Sequence, residues 1–397
     1  MTKVITDSKK IEELLTRGVD EVIQLNDLKK KLLSGKKLRV KLGIDPTSPN
    51  LHLGRAIPLL KLRDFQELGH QLVFIVGDFT GVIGDTSDKD SERPMLTTEA
   101  IRQNMKDYVK QASKVIDIKR AEVHYNSKWL KKLTYDEIGQ QADQFSVAEF
   151  IARENIKKRM DQGKRVSLRE VLYPLMQGYD SVMVKADVEV GGTDQRFNLL
   201  AGRKLQEYFN QAAQNIIMGP LMEGTDGRKM SSSWGNTVNL THQPSEMFGK
   251  LMSIPDELII KYFTLATRVS LNDIKGIESQ LKAGANPRDV KAKLAKEIVK
   301  MYHGDKAALE SEEAFEKQFK NKEIPDDIKE VKITHRKIDI IDLLVEAKLV
   351  ASKSEGRRMV EQGGVRLDGE KIISLAEIEI KSGMVIQVGK RKFARIK

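Results

Sequence analysis

Tyr173, Gln177 and Asp180 stand at i, i+4 and i+7, a spacing that puts a phenol, an amide and a carboxylate on one helix face. Such a face can line a pocket. A half-buried face with satisfied side chains would use the same residues, and the surrounding motifs weigh for the pocket. Upstream, Asp45-Pro46-Thr47-Ser48-Pro49-Asn50-Leu51-His52-Leu53-Gly54-Arg55 follows a strand-like run and opens a helix. Backbone N–H groups and the dipole at a helix start favour a phosphate. Gly54 admits a flat base or sugar close to the backbone. Thr47 and His52 can donate to oxygens whose charge grows in a transition state. Downstream, Gly227-Arg228-Lys229-Met230-Ser231-Ser232-Ser233 is a glycine- and serine-rich loop with two adjacent cations. It can close over a triphosphate and bring Lys229 to departing pyrophosphate. Gly191-Gly192-Thr193-Asp194-Gln195 is a further turn, after a strand-like stretch at 183–190. Each loop in isolation is also an ordinary solvated turn.

These groups need a scaffold that gathers them. Between residues 39 and about 225, short apolar runs alternate with helical periodicity: 39–45 strand-like, 52–68 helical, 71–76 wholly apolar, 98–115 a long polar helix, and 121–125 and 215–218 again strand-like. A wholly apolar run suits a strand buried on both faces. Alternation of this kind implies an α/β fold with a parallel sheet, whose ligand sits beyond the carboxyl ends of the strands. From 226 to 325 the pattern is helical and charged, and the stretch 323–334, with Pro325, reads as a linker. At the end come an amphipathic helix at 338–349, a capping box from Ser352 and Glu355, and a hairpin around Asp368-Gly369.

A chain of 397 residues is long enough for two or three domains. No run approaches the roughly 18 apolar residues of a membrane span. The first ten residues have neither a signal peptide's apolar core nor a transit peptide's arginines, so a cytoplasmic protein is expected. Zero cysteines exclude disulfides, and the six histidines show no zinc-ligand spacing, so no protein-bound metal is expected. The net charge of +11 suits nucleic acid or merely a basic surface. Its distribution favours nucleic acid: residues 335–397 hold 14 lysines and arginines against nine acidic residues, a net +5. Lys353, Arg357 and Arg358 fall along one short helix and Lys390, Arg391 and Lys392 in one turn, paired cations that suit phosphates.

His-x-Gly at the start of a nucleotide-binding region and Lys-Met-Ser-x-Ser at its end resemble the class I aminoacyl-tRNA synthetases. Within them the chain closely resembles the tyrosyl-tRNA synthetases, over essentially its whole length. The resemblance is carried by Gly43-Ile44-Asp45-Pro46-Thr47, Gly77-Asp78-Phe79-Thr80-Gly81-Val82-Ile83-Gly84-Asp85, Tyr173-Pro174-Leu175-Met176-Gln177-Gly178-Tyr179-Asp180 and Gly191-Gly192-Thr193-Asp194-Gln195. It implies a Rossmann-like catalytic domain over 1–225, a helical domain for the anticodon arm over 226–325, a linker at 326–334 and a small α+β RNA-binding domain over 335–397. It implies ATP as substrate with Mg²⁺, L-tyrosine and tRNA(Tyr) as partners, and a homodimer through the catalytic domain. The implied tyrosine site is Lys41, Asp45, Thr80, Asp85, Tyr173, Gln177, Asp180 and Gln195. In it Tyr173, Gln177 and Asp85 meet the α-ammonium and Asp180 accepts the phenol hydroxyl. The implied ATP site is His52, Gly54, Arg55, Gly192, Asp194, Lys229, Ser231 and Ser232, with Thr47, His52 and Lys229 catalytic.

The match departs at three places. Arg55 stands for the motif's second histidine, Ser232 for the second lysine of Lys-Met-Ser-Lys-Ser, and Lys41 for a tyrosine that one branch sets against the phenol. Two other classes therefore stay open: a catalytically impaired relative that binds RNA or tyrosine as a regulatory module, and an enzyme that adenylates a related amino acid. A tryptophanyl enzyme is disfavoured by Asp180 and the C-terminal module.

Overall fold

The computed structural model describes residues 3–85, 95–320, 328–333, 335–374, 376–389 and 392–397. Met1–Glu312 form one compact unit and Glu313–Lys397 a second.

In the first unit the wholly apolar run becomes β3 (Gln71–Val76), with Leu72 to Val76 fully buried. β3 lies between β2 (Arg39–Ile44) and β4 (Glu122–Tyr125). On the other side of β2 come β5 (Val188–Gly192) and β6 (Asn215–Gly219), all five strands parallel. The chain thus winds outward from β2 to β4, then returns to β5 on the opposite flank. That reversal opens a crevice beyond the carboxyl ends of β2 and β5, where an open parallel sheet binds its ligand. A sixth strand, β1 (Glu21–Ile23), joins β6 antiparallel. Sequence pattern did not foreshadow it, because three half-buried residues carry no readable periodicity.

Helices flank the crevice. Leu53–Glu67 starts at His52, directly beyond β2. Leu168–Val184 carries the Tyr173 face and runs into the stretch expected to be strand. Its Val182 and Val184 are buried on a helix, and Lys185 ends it in the left-handed conformation before β5 begins at Val188. A β-branched run, read without its neighbours, mimics a strand there. The expected helix at 98–115 is two, Thr98–Met105 and Tyr108–Ala112. Beyond residue 235 the unit continues in helices, including Ile259–Ala266, Leu271–Lys282 and Pro287–His303, the last capped by Asn286.

The second unit has its own core, in which Ile340, Leu343, Leu344, Val360, Val365 and Ile386 are fully buried. Two helices, Ile340–Glu346 and Lys353–Glu361, accompany a five-stranded sheet in the order β10-β9-β12-β13-β7. β9 (Val365–Leu367) and β10 (Glu370–Ile372) are joined by Asp368 and Gly369, both at positive φ, as the tightest hairpin turn requires. β12 (Val385–Val388) and β13 (Lys392–Ile396) pair antiparallel. Ser352 Oγ accepts from Glu355 N, while Glu355 reaches back to Ala351 N, one residue earlier than a capping box predicts. Two short strands correct the sequence expectation. β7 (Lys329–Val331), inside the expected linker, pairs with β13 at the sheet edge. β8 (Lys337–Asp339) precedes the helix expected to begin at 338, and pairs with β11 (Glu377–Glu379). Three-residue edge strands rich in charge show no apolar alternation, so they read as loop. Residues 321–327 of the linker region lie outside the described residues.

Candidate active site

The crevice holds a cavity of about 820 Å³. Asp45, Thr80, Asp85, Tyr173, Gln177, Asp180 and Gln195 line it, as do Thr47, His52, Gly54, Arg55, Gly192, Asp194, Lys229, Ser231 and Ser232. Residues from segments far apart in the chain thus share one space. Lys41 is the exception among the expected cavity residues.

At the buried end, Asp180 is 4% exposed and accepts from Trp129 Nε1 at 2.7 Å and from Asn126 Nδ2 at 3.1 Å. Burial raises its carboxyl to about 7, against the pull of Lys41 and these donors. Asn126 Nδ2 also donates to Thr80 Oγ1 at 2.9 Å, and Thr80 donates to Asp45 Oδ1 at 2.7 Å. Tyr173 donates its hydroxyl proton to Asp45 Oδ2 at 2.8 Å. Burial raises the Tyr173 hydroxyl well above its ordinary range and Asp45 to about 6. Gly77 makes this junction fit: a Cβ there would lie 2.0 Å from Asp45 Oδ1. With its proton committed to Asp45, the Tyr173 oxygen can only accept further bonds. Asp85 accepts from Gln195 Nε2 at 2.7 Å, and Gln195 in turn accepts from Asn198 at 2.8 Å. Acceptors therefore dominate this part of the cavity, as a cationic group requires.

Lys41 points away from the cavity. It is fully buried, 2.8 Å from Glu189 Oε1, and donates to Ser181 Oγ and to the Gln177 carbonyl. A strand buried on both faces sends alternate side chains to opposite sides, and an isolated ammonium in that interior needs a counter-charge. Glu189 on β5, a residue of the cavity lining, supplies it, so direct contact of Lys41 with a cavity ligand is replaced by an ion pair to that carboxylate. Sequence reasoning missed Asn126, Trp129, Ser181, Glu189 and Gln214. A glutamate in an otherwise apolar strand was the one available signal.

At the open end, His52 precedes the helix Leu53–Glu67 and is held neutral, its imidazole lowered to about 3 by burial and by the Arg55 and Lys229 charges. Its buried Nδ1 has no hydrogen-bond partner among the described residues. At that helix start Gly54 N donates to Met230 Sδ of the Lys-Met-Ser loop at 3.4 Å. Arg55 is turned inward, donating to Thr47 Oγ1 at 2.8 Å, to the Asp45 carbonyl at 3.1 Å and to Tyr108. It braces the motif rather than standing as a loose cation. Lys229 pairs with Asp194 at 3.2 Å, linking the loop to the turn after β5. Ser231 N donates to Asn236 Oδ1 at 2.8 Å, while Ser232 is exposed, 3.4 Å from Ser48 Oγ. Arg228 pairs with Asp226 at 2.6 Å and stacks on Trp234.

In the second unit Lys353, Arg357 and Arg358 are exposed along one helix, and Lys353 pairs with Asp342 at 2.5 Å. Lys392 donates to the Leu349 carbonyl at 2.9 Å and lies 3.6 Å from Glu355, so it holds the helix and hairpin together. Lys390 and Arg391 lie outside the described residues.

A cavity with a buried end rich in acceptors and an open end carrying a helix start and Lys229, at the reversal of a parallel sheet, agrees with what the chain is similar to. Residues 33–320 match the family model for class I tRNA synthetases (W and Y). Residues 318–396 match that for a tyrosine–tRNA ligase SYY-like C-terminal domain. The tyrosine–tRNA ligase of Thermotoga maritima is 48% identical over 387 residues, 97% of this chain and 96% of that protein. That of Moorella thermoacetica is 46% identical, over 96% and 94%. Among solved structures, a C-terminally truncated mitochondrial tyrosyl-tRNA synthetase from Coccidioides posadasii matches with a TM-score of 0.62 at 23% identity, over 77% of this chain and 90% of that one. The Archaeoglobus fulgidus tyrosyl-tRNA synthetase, solved with L-tyrosine, matches with a TM-score of 0.60 at 23% identity, over 77% and 99%. Those likenesses carry the fold, and the near-full-length identities carry the branch: the chain belongs to the class I tRNA synthetases of the W and Y family, among the tyrosine–tRNA ligases.

Proposed function

We propose that this cavity activates L-tyrosine with ATP and that the enzyme then esterifies it to tRNA(Tyr). The observation that carries the reading is the convergence of the Tyr173–Gln177–Asp180 face with the 45–55, 191–195 and 229–232 segments around one cavity. Asp180 accepts the phenol hydroxyl. Tyr173, Gln177, Asp85 and Gln195 surround the α-ammonium. The helix start at His52–Gly54 receives phosphate, Gly192 and Asp194 the adenosine, and Lys229 with Ser231 and Ser232 the β- and γ-phosphates of ATP, bound as its magnesium complex.

Activation needs no general base, because the tyrosine carboxylate is already anionic. One carboxylate oxygen bonds to the α-phosphorus, the bond from that phosphorus to the β-bridging oxygen breaks, and pyrophosphate leaves with the electron pair. Position and charge stabilisation supply the acceleration. Lys229 meets charge on the departing pyrophosphate, while Thr47 and neutral His52 act as hydrogen-bond donors. A terminal ribose hydroxyl of the tRNA then attacks the adenylate carbonyl and releases AMP. A buried acceptor explains selectivity, since a ligand lacking the phenol hydroxyl leaves the desolvated Asp180 carboxylate without the proton donor it is set to receive. The basic second unit holds the RNA through Lys353, Arg357 and Arg358.

Dimerisation through the catalytic unit is part of the same proposal. Its support is a series of exposed apolar side chains there, Tyr135, Val147 and Leu168, each more than 70% exposed. A cytoplasmic location fits these substrates. No helix among the described residues is long and apolar enough to cross a membrane.

The test is truncation after Lys320, ahead of β7, so that the second sheet is removed whole. Tyrosine-dependent exchange of pyrophosphate into ATP should stay near the parent level, and tRNA charging should be mostly lost. Charging by the full chain should fall steeply with added salt, as released counterions require. Charging that survives truncation would remove the second unit from RNA binding. Loss of exchange in a folded truncated protein would move part of the activation site out of the first unit.

A further inference from the structure

Tyr173 is made an acceptor by Asp45 behind it, and Gln177 has a carboxylate behind it too. Gln177 Nε2 donates to Glu189 Oε1 at 3.2 Å. A carboxylate can only accept, so the amide must turn its NH₂ group to Glu189. Its carbonyl oxygen is then the end left for the cavity that Gln177 lines. Glu189 is itself immobilised: Ser181 Oγ donates to its Oε2 at 3.0 Å, Gln214 Nε2 to the same oxygen at 2.5 Å, and Lys41 pairs with Oε1 at 2.8 Å. Lys41 also holds the backbone carbonyl of Gln177 at 3.0 Å, so it grips the residue from the other side. Both charged groups are at most 1% exposed. A buried pair of this kind adds little net stability over apolar residues of equal volume. Its place behind Gln177 is therefore the informative feature.

We infer that Glu189, charge-balanced by Lys41, is a positioning residue that fixes the Gln177 amide with its carbonyl toward the cavity, and so sets the enzyme's demand for an α-ammonium group. The inference rests on the reading of Gln177 as an ammonium acceptor. If the amide were free to turn, half its orientations would present NH₂ to a cation, which repels it. Specificity for the amino group is thus set by the hydrogen-bond partner that orients the residue touching it.

The experiment compares L-tyrosine with 3-(4-hydroxyphenyl)propionate, which has the phenol and carboxylate but no ammonium, by calorimetric titration of the full chain. Two neutral double variants of similar volume separate orientation from packing. Lys41→Met/Glu189→Gln keeps an acceptor for the Gln177 amide, whereas Lys41→Met/Glu189→Met removes it. The first should retain the parent's preference for tyrosine within about threefold. The second should lose about tenfold or more of it, as expected when a hydrogen bond to a charged group is misdirected. ATP affinity should be unchanged in both, which reports that the fold is intact. Equal preference in the two doubles, whether kept or lost, overturns the inference. If the second does not fold, the first still decides, because loss of preference there contradicts the proposal and retention supports it. A parent enzyme that binds the two ligands equally would instead sink the assignment of Gln177 to the ammonium.

Discussion

At the buried end of the cavity, Asp180 is met by Asn126 and Trp129, Tyr173 by Asp45, and Gln177 by Glu189, each through a direct hydrogen bond. At the open end, Ser232 is exposed and Lys229 rests on Asp194 in a partly exposed ion pair. The buried end is held by the protein's own hydrogen bonds, as recognition of a small polar group demands. The open end keeps its cation on a loop, where the partner charge develops only as pyrophosphate departs. In the proposed reading, one end of the site selects and the other accelerates.

The largest effect should follow from Lys229→Ala. If its partner charge develops in the transition state, the activation rate should fall by about 10²–10³-fold, the scale of removing one preorganised donor. The tyrosine dissociation constant should hardly move. Rapid-quench measurement of adenylate formation beside a tyrosine titration checks both, and a large change in tyrosine affinity would erase the division of labour.

Asp180→Ala should do the reverse. It removes the proposed acceptor of the phenol and strands the Asn126 and Trp129 donors, so tyrosine binding should weaken by about 1.5–3 kcal/mol while ATP binding is retained. Equal losses for the two ligands would assign Asp180 a structural role.

Acidity should act on the buried end first. Burial raises the Asp180 carboxyl to about 7 and Asp45 to about 6. A raised carboxyl binds its proton more tightly when folded than unfolded. Its contribution to stability is therefore fully present below the ordinary aspartate range and is lost as pH rises through 6 to 7. Tyrosine binding has the opposite slope, because the ionised Asp180 is the better acceptor for the phenol proton. Affinity should rise with pH and level off above about 7. Calorimetry across that range is the check, and Asp180→Asn should abolish the slope near 7. A profile that is flat in the parent would contradict the raised carboxyl.

The smallest expected change is a gain. Ser232→Lys adds a cation to the exposed loop, and Arg55 cannot already serve that purpose, since it is committed to Thr47 and Asp45. The activation rate should rise by a factor of a few, the range of exposed charge interactions. No rise would mean that Lys229 alone meets the charge on pyrophosphate.

The open end was legible in the sequence because glycines, serines and a helix start advertise themselves locally. The Tyr173 face was legible too, since three polar residues at helical spacing interrupt an apolar run. What lies behind that face was not. Lys41 on β2, Glu189 on β5 and Gln214 just before β6 come together only when strands distant in the chain become neighbours, and no local spacing records that. Lys41 was expected at the ligand, and the pleat of a doubly buried strand sends it to the other side. The parallel sheet was readable from its apolar runs, whereas the edge strands β1, β7 and β8 were not, because three residues hold too little pattern.

Pyrophosphate–ATP exchange by the full chain without RNA, driven in turn by L-tyrosine and L-phenylalanine at matched ATP, tests the joint action of the two ends most directly. Selection at Asp180 coupled to acceleration at Lys229 predicts robust exchange with tyrosine and little with phenylalanine. Tight tyrosine binding without exchange would contradict it, as would exchange that runs equally well with phenylalanine.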